Sequence, residues 1–189
     1  FESQAIQAAA AGKGPDIINC FSDQLKQHID AGTVQPMTDY AKDFITEMGD
    51  YIYTSDKLTQ SDGEIYSLPW ESRVTAMRYR SDLYDSAPQS WDDLLEQSSK
   101  ASTDTSLGFA LGLSEDGNGT GLIEKFIPWI SSAGGDFLDK DGKAVFNSDA
   151  GVKVVNFIKE LVDNGSMDRT TMKMAYDDEV DAFKSGTVD

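Results

Sequence analysis

Short β-branched runs alternating with amphipathic helical stretches predict an α/β layer fold. Three observations carry that prediction. Asp16-Ile-Ile-Asn19 is followed by a helical stretch with Leu25 and Ile29 one turn apart. Val74-Thr-Ala-Met-Arg-Tyr79 is followed by Ser90-Trp-Asp-Asp93, a capping-box pattern that opens a helix. Glycine and proline punctuate these segments rather than interrupting them.

Each element follows from local residue chemistry. Phe1 to Ala11 holds good helix formers with a rough apolar face. Gly12-Lys-Gly-Pro15 ends it, because proline cannot continue a helix. Asp16-Ile-Ile-Asn19 reads as a buried strand. Ser22 or Asp23 caps the helix of Leu25 and Ile29, which Gly32 stops, and His28 faces solvent. Asp39 to Tyr53 is a mixed-charge helix. Asp62-Gly63 is a hairpin signal between Leu58 and Ile65-Tyr-Ser-Leu68. Pro69-Trp70-Glu71-Ser72-Arg73 interrupts, and Val74 to Tyr79 is the next strand.

Trp91, Leu94 and Leu95 form the apolar side of the helix after Ser90, and Leu107 to Leu113 is a candidate buried strand. In Leu122 to Ala133, Pro128 is expected to kink the helix or mark its start. Asp139-Lys-Asp-Gly142 is a tight turn into Ala144-Val-Phe146. Ser148 caps the most regular helix, with Val152, Val155, Ile158 and Val162 at helical spacing and Asn164-Gly165 closing it. Tyr176 to Lys184 is the last helix, with Val180 and Phe183 inward.

The charge narrows the function classes. With 33 acidic and 16 basic side chains the formal charge is −17, which opposes binding to nucleic-acid phosphates and to anionic membrane surfaces. Aromatic residues make up 10%, too many for a disordered acidic tail. No apolar run approaches the roughly 18 residues of a membrane span. One cysteine, Cys20, makes no internal disulfide. One histidine, His28, leaves little for metal binding or histidine-based catalysis. The chain opens without Met inside a helical pattern and ends at Gly186-Thr-Val-Asp189, which reads as a piece of a longer protein.

Four constellations bear on chemistry. A carboxylate pair flanking a glycosidic bond is the glycosidase arrangement, and Glu71, after Pro69-Trp70, is its candidate; a solvated surface glutamate is the equal alternative. Asp139 to Gly142 fails as a calcium loop, since positions 6 and 12 of the motif fall on Ala144 and Ala150. Cys20 lacks a nearby base and reads as a small apolar residue. The fourth is a binding cleft: aromatic rings stack on the CH faces of a sugar, while Asp, Glu, Asn and Arg bond its hydroxyls. Trp70-Glu71-Ser72-Arg73 offers these functions in one irregular stretch, and Asp23 lies where a strand meets a helix, the ligand side of an α/β sheet. A core position is the rival reading for Trp70, and it is the favoured one for Trp91 and Trp129.

A series of motifs runs through the whole chain: Ala10 to Ile18, Asp30-Ala-Gly-Thr-Val-Gln-Pro36, Asp62-Gly-Glu-Ile-Tyr-Ser-Leu-Pro-Trp70, Met77-Arg-Tyr-Arg-Ser-Asp82 and Ser90-Trp-Asp-Asp-Leu94. It continues with Gly134-Gly135, Asp141-Gly-Lys143, Phe146-Asn-Ser148, Asp163-Asn-Gly165 and Ala182-Phe-Lys-Ser-Gly186. In order and spacing the series resembles the extracellular solute-binding proteins of carbohydrate ABC transporters, the maltose-binding-like group.

The resemblance implies a periplasmic-binding-protein-like, two-lobed fold of type II, present in part. Residues 1–80 would form an incomplete first lobe with a hinge crossing at about 74–80, and residues 81–189 a nearly complete second lobe. It implies a monomeric, non-enzymatic receptor without cofactor or metal. Such a receptor closes on a sugar between its lobes, hands it to ABC permease subunits, and meets the membrane only through a lipid anchor outside this chain. Its place would be extracellular, as a cell-surface lipoprotein, or periplasmic. Carried over by motif, Asp23, Trp70, Glu71, Arg73 and Asn118 are the ligand contacts. A glycoside hydrolase, and a same-fold binder of another solute, are the alternatives.

Overall fold

A computed structural model describes residues 2–22, 24–49, 60–61, 63–71, 74–114 and 120–189. The chain divides into two compact units, Phe1–Val74 and Thr75–Asp189.

Among the described residues the first unit holds three helices and a hairpin. Helix α1, Glu2–Ala10, closes with the Lys13 amide on the Ala8 carbonyl at 2.9 Å. Helix α2, Leu25–Asp30, has Gln24 as its N-cap, without a side-chain bond there. Leu25 and His28 are its buried residues. His28 is 1% exposed, a correction to the solvent-facing expectation. Its Nδ1 lies 2.9 Å from the Thr33 hydroxyl, which donates back to the His28 carbonyl, so the ring's polar edge is satisfied within its own turn. Helix α3, Thr38–Met48, has Gly49 as its C-cap, and residues 50–53 of the expected stretch lie outside the described residues. Strands β1, Gln60–Ser61, and β2, Glu64–Ile65, pair antiparallel with Gly63 at positive φ between them, as the hairpin signal requires; Asp62 lies outside the described residues. The Met37 amide bonds the Ile65 carbonyl and the Ile65 amide bonds the Thr38 hydroxyl, so β2 is tied to the start of α3.

Two expected strands are absent as strands. Asp16-Ile-Ile-Asn19 and Val74 to Tyr79 form no ladder, and Ile17 is 88% exposed. A strand exists only through hydrogen bonds to a neighbour, and neither segment has a paired neighbour among the described residues.

Among the described residues the second unit is built on four α-helices: α4, Trp91–Ala101; α5, Thr120–Ser132; α6, Asp149–Asp163; and α7, Tyr176–Ser185. Ser90 caps α4 by accepting from the Asp93 amide at 3.1 Å, and Asp93 accepts from the Gln89 amide at 2.8 Å. Ser148 caps α6. The core joins Leu94 of α4, Ile130 of α5, and Val154, Phe157, Ile158 and Leu161 of α6 with Phe109, Leu111 and Met167. Trp91 and Trp129 pack against it, as expected of core aromatics.

Three local expectations change. Helix α5 begins eight residues before Pro128 and runs through it. Pro128 is exposed, so water can take the carbonyl left without its amide partner. The buried stripe of α6 is Val154, Phe157, Ile158 and Leu161, and Val152 and Val155 lie off it. Both patterns have helical spacing, and the aromatic Phe157 with Leu161 offers more apolar area to bury than two valines. Leu107 to Leu113 is extended and largely buried but pairs piecemeal: Leu107 bridges Val188, the Phe109 amide bonds the Ser166 carbonyl, and the Leu113 amide bonds the Met172 carbonyl. The Asp139 turn forms as expected, with Leu138 bridging Ala144.

Candidate functional site

In the first unit the site candidates follow the hairpin. Beyond Ile65 the chain runs without regular structure through Tyr66-Ser-Leu-Pro69 to Trp70 and Glu71. The bonds from Met37 and Thr38 hold Ile65 in place, and Pro69 limits the backbone just before the tryptophan. Trp70 is 75% exposed, so it is not a core tryptophan. Glu71 beside it is also exposed. An exposed indole with a neighbouring carboxylate offers a flat apolar face and hydroxyl-bonding oxygens together. Asp23, Arg73 and Asn118 lie outside the described residues. Of the five candidates the structure describes Trp70 and Glu71, neighbours in sequence and both exposed.

The second unit contains a pair that local sequence patterns did not reveal. Arg78 donates from Nη2 to the Tyr176 hydroxyl at 3.1 Å across 98 positions of sequence. Its guanidinium carbon also lies 6.0 Å from the Tyr176 ring centroid. That hydrogen bond raises the Arg78 pKa above its ordinary value. Tyr176 remains 61% exposed, an aromatic ring with its hydroxyl held by a cation. The one local hint was the placement of Tyr176 at the head of a predicted helix, where a core role is least demanded.

Nearby polar groups fasten this unit internally. Glu179 of α7 accepts from the Gly112 amide with one oxygen and pairs with Lys125 of α5 through the other. Arg80 makes a two-bond contact with Asp82, at 2.9 and 2.7 Å, and lies 3.7 Å from the buried carboxylate of Asp189. That contact with Arg80 holds the Asp82 carboxyl below the usual carboxylate range. These bonds tie the extended segments of the unit to its helices.

The model of the family described as bacterial extracellular solute-binding protein matches residues 2–189. The chain belongs to that family. Among its relatives, the arabinooligosaccharide-binding protein of Bacillus subtilis is 26% identical over 168 residues, covering 83% of this chain and 36% of the relative. A probable amino-acid ABC transporter periplasmic-binding protein of Sinorhizobium fredii is 29% identical over 111 residues, covering 53% of this chain and 24% of the relative. The crystal structure of a sugar transporter from Arthrobacter chlorophenolicus A6 with bound laminaribiose aligns with a TM-score of 0.72 at 22% identity, over 100% of this chain and 49% of that one. The chain thus spans about half of that solved structure and smaller shares of the two curated relatives. The structural likeness bears out the expected fold class, periplasmic-binding-protein-like and present in part. Among the described residues no helix is long and apolar enough to cross a membrane.

Proposed function

We propose that this chain is part of a sugar-binding receptor of an ABC importer, and that the intact protein captures an oligosaccharide between two lobes. The observation that carries the reading is the exposure of Trp70 at the end of the Leu68-Pro69-Trp70 segment. A large indole gains free energy when its apolar faces leave water, so an indole kept in water by the fold is available to a ligand. Trp70 would stack on a sugar face, while Glu71, Asp23, Arg73 and Asn118 would bond hydroxyls. The names of the Bacillus and Arthrobacter relatives support the ligand class.

In this reading residues 1–80 belong to lobe one, residues 81–189 to lobe two, and 74–80 to a crossing between them. The receptor acts as a monomer without cofactor, metal or catalysis and delivers its ligand to permease subunits. It works outside the cytoplasm, periplasmic or held at the cell surface by a lipid anchor beyond this chain.

The test is calorimetric titration of the intact protein with mono- and oligosaccharides. Trp70→Ala is expected to weaken binding of the responding sugar by roughly 1–3 kcal/mol, the scale of an aromatic stacking platform. Unchanged affinity would remove Trp70 from the site. Steady release of reducing ends from the sugar would replace the receptor with a hydrolase. A second solute class is favoured by one observation, the Sinorhizobium relative described as an amino-acid binding protein. The titration therefore includes amino acids, and a response to them alone would overturn the sugar reading.

A further inference from the structure

The most regular helix of the chain leaves two apolar residues uncovered. Val152 and Val155 of α6 are each 56% exposed, whereas Val154 between them is fully buried. Valine is a weaker helix former than Ala, Leu or Lys because its branched side chain loses rotamer freedom. At an exposed helical position the fold gains nothing from it that those residues would not supply better.

Val152 lines a groove of about 820 Å³ between α6 and the N-terminal end of α4. Trp91 and Phe157 lie at its base, with ring centroids 4.8 Å apart. The Trp91 indole N–H is fixed by the Ser132 hydroxyl at 3.2 Å. The exposed carboxylates of Asp92, Asp149 and Glu160 also line the groove. Against these three acids stands one base, Lys153, and its ammonium rests 5.0 Å from the Trp91 ring centroid.

We propose that this groove docks a basic, aliphatic-bearing segment of a partner protein. The groove has the chemistry for such a chain: acids to pair with its cations, an aromatic base that already accepts an ammonium, and the exposed Val152 for its aliphatic side chains to cover. The other occupants fit less well. A second copy of this chain brings the same −17 charge, and an anionic lipid surface is repelled in the same way. A sugar needs an open aromatic face, but Trp91 is bordered by Lys153, Trp129 and Phe157. From Asp149 to Glu160 the helix rises about 16 Å, the length of roughly five residues of extended chain. An incoming Lys or Arg pairs with the groove acids, while its aliphatic neighbours cover Val152. This docking surface is independent of the sugar reading.

The intact protein, isotope-labelled, is titrated with three synthetic peptides of about five residues. One alternates lysine with leucine, one glutamate with leucine, and one lysine with serine. The lysine–leucine peptide is expected to shift the Trp91 indole N–H resonance and the methyl resonances of Val152, and to leave those of Val155, outside the groove, unmoved. The other two are expected to bind at least about tenfold more weakly, since each lacks one half of the complementarity. Val152→Ser and Glu160→Lys alter exposed side chains, so folding is not at stake. Each is expected to weaken the lysine–leucine peptide about fivefold or more and to leave any sugar titration unchanged. Raising the salt to about 0.5 M weakens binding further, by screening the exposed charges. Equal binding of all three peptides, shifts confined to residues away from Trp91 and Val152, or indifference to Glu160→Lys would each overturn the proposal.

Discussion

Gly108→Ala is expected to be among the most damaging single-methyl changes in the second unit. A Cβ built at Gly108 lies 1.8 Å from the Ser98 carbonyl oxygen, 2.7 Å from its carbon and 2.9 Å from its Cα. All three are backbone atoms of α4, so no side chain can rotate away. Opening the 1.8 Å contact to the 3.4 Å of ordinary van der Waals contact requires about 1.6 Å of backbone movement. Three sets of bonds resist that movement. The Gly108 amide donates to the Ser102 hydroxyl at 2.9 Å, and the Gly108 carbonyl accepts from the buried Tyr84 hydroxyl. On either side, the Leu107 amide bonds the Thr187 carbonyl at 3.0 Å and the Phe109 amide bonds the Ser166 carbonyl at 2.9 Å. Overpacking against a fixed wall costs about 1–3 kcal/mol, and each weakened buried bond adds about 1 kcal/mol. The total is about 3–5 kcal/mol, or roughly 6–20 °C in Tm at about 2–4 °C per kcal/mol. Gly134→Ala is the comparison. Its φ is +82° but its Cβ meets nothing within 4 Å, so only the left-handed backbone penalty of about 1–2 kcal/mol applies. Thermal unfolding of the intact protein, followed by circular dichroism, measures both. A Gly108→Ala shift no larger than that of Gly134→Ala would refute the packing argument.

Three further outcomes are expected. Ser90→Ala removes the acceptor for the Asp93 amide and costs about 1 kcal/mol in denaturant unfolding, whereas Ser90→Asp, which keeps an oxygen there, costs less. Glu179→Ala strands the Gly112 amide and the Lys125 ammonium in a partly buried place and costs about 2–3 kcal/mol; Glu179→Gln keeps an acceptor for the amide and is expected to lose less than half of that. Burial pushes the Tyr84 hydroxyl up from 10.0 to about 12, so its stabilisation is complete below pH 10 and is lost as the pH rises towards 12. Tyr84→Phe is expected to flatten the alkaline limb of the stability curve by at most about 1.4 kcal/mol per pH unit, and an unchanged limb would remove Tyr84 as its cause.

Much of the local structure was legible because its causes are local. The Ser90 and Ser148 caps, the Asp62-Gly63 hairpin and the Asp139 turn depend on residues within a few positions of one another, and all four form. The candidate site was legible in part. A Leu-Pro-Trp stretch after a hairpin marks an irregular, exposed segment, and Trp70 and Glu71 lie on one. Whether Trp70 faced a core or water was not readable, because either outcome suits an indole after a proline. The Arg78–Tyr176 pair was hidden for a different reason: its partners are 98 positions apart, and no local spacing records that approach.

The sequence by itself determined the helix starts at Ser90 and Ser148, where turns fall, the acidic charge and the family to which the chain belongs. Those properties rest on near-neighbour chemistry, on composition and on the order of motifs. Only tertiary structure decided which side of α6 is buried. Val152, Val155, Ile158 and Val162 are as helically spaced as Val154, Phe157, Ile158 and Leu161, and contact with Trp91, Ile130 and Met167 selects the second set. Likewise, Asp16 to Asn19 has strand-forming residues and no ladder, because hydrogen bonds between strands need a partner that local propensity cannot supply. His28 makes the same point from the opposite side. A polar residue on a short helix became one of the most buried in the chain because Thr33, five positions on, satisfies its ring.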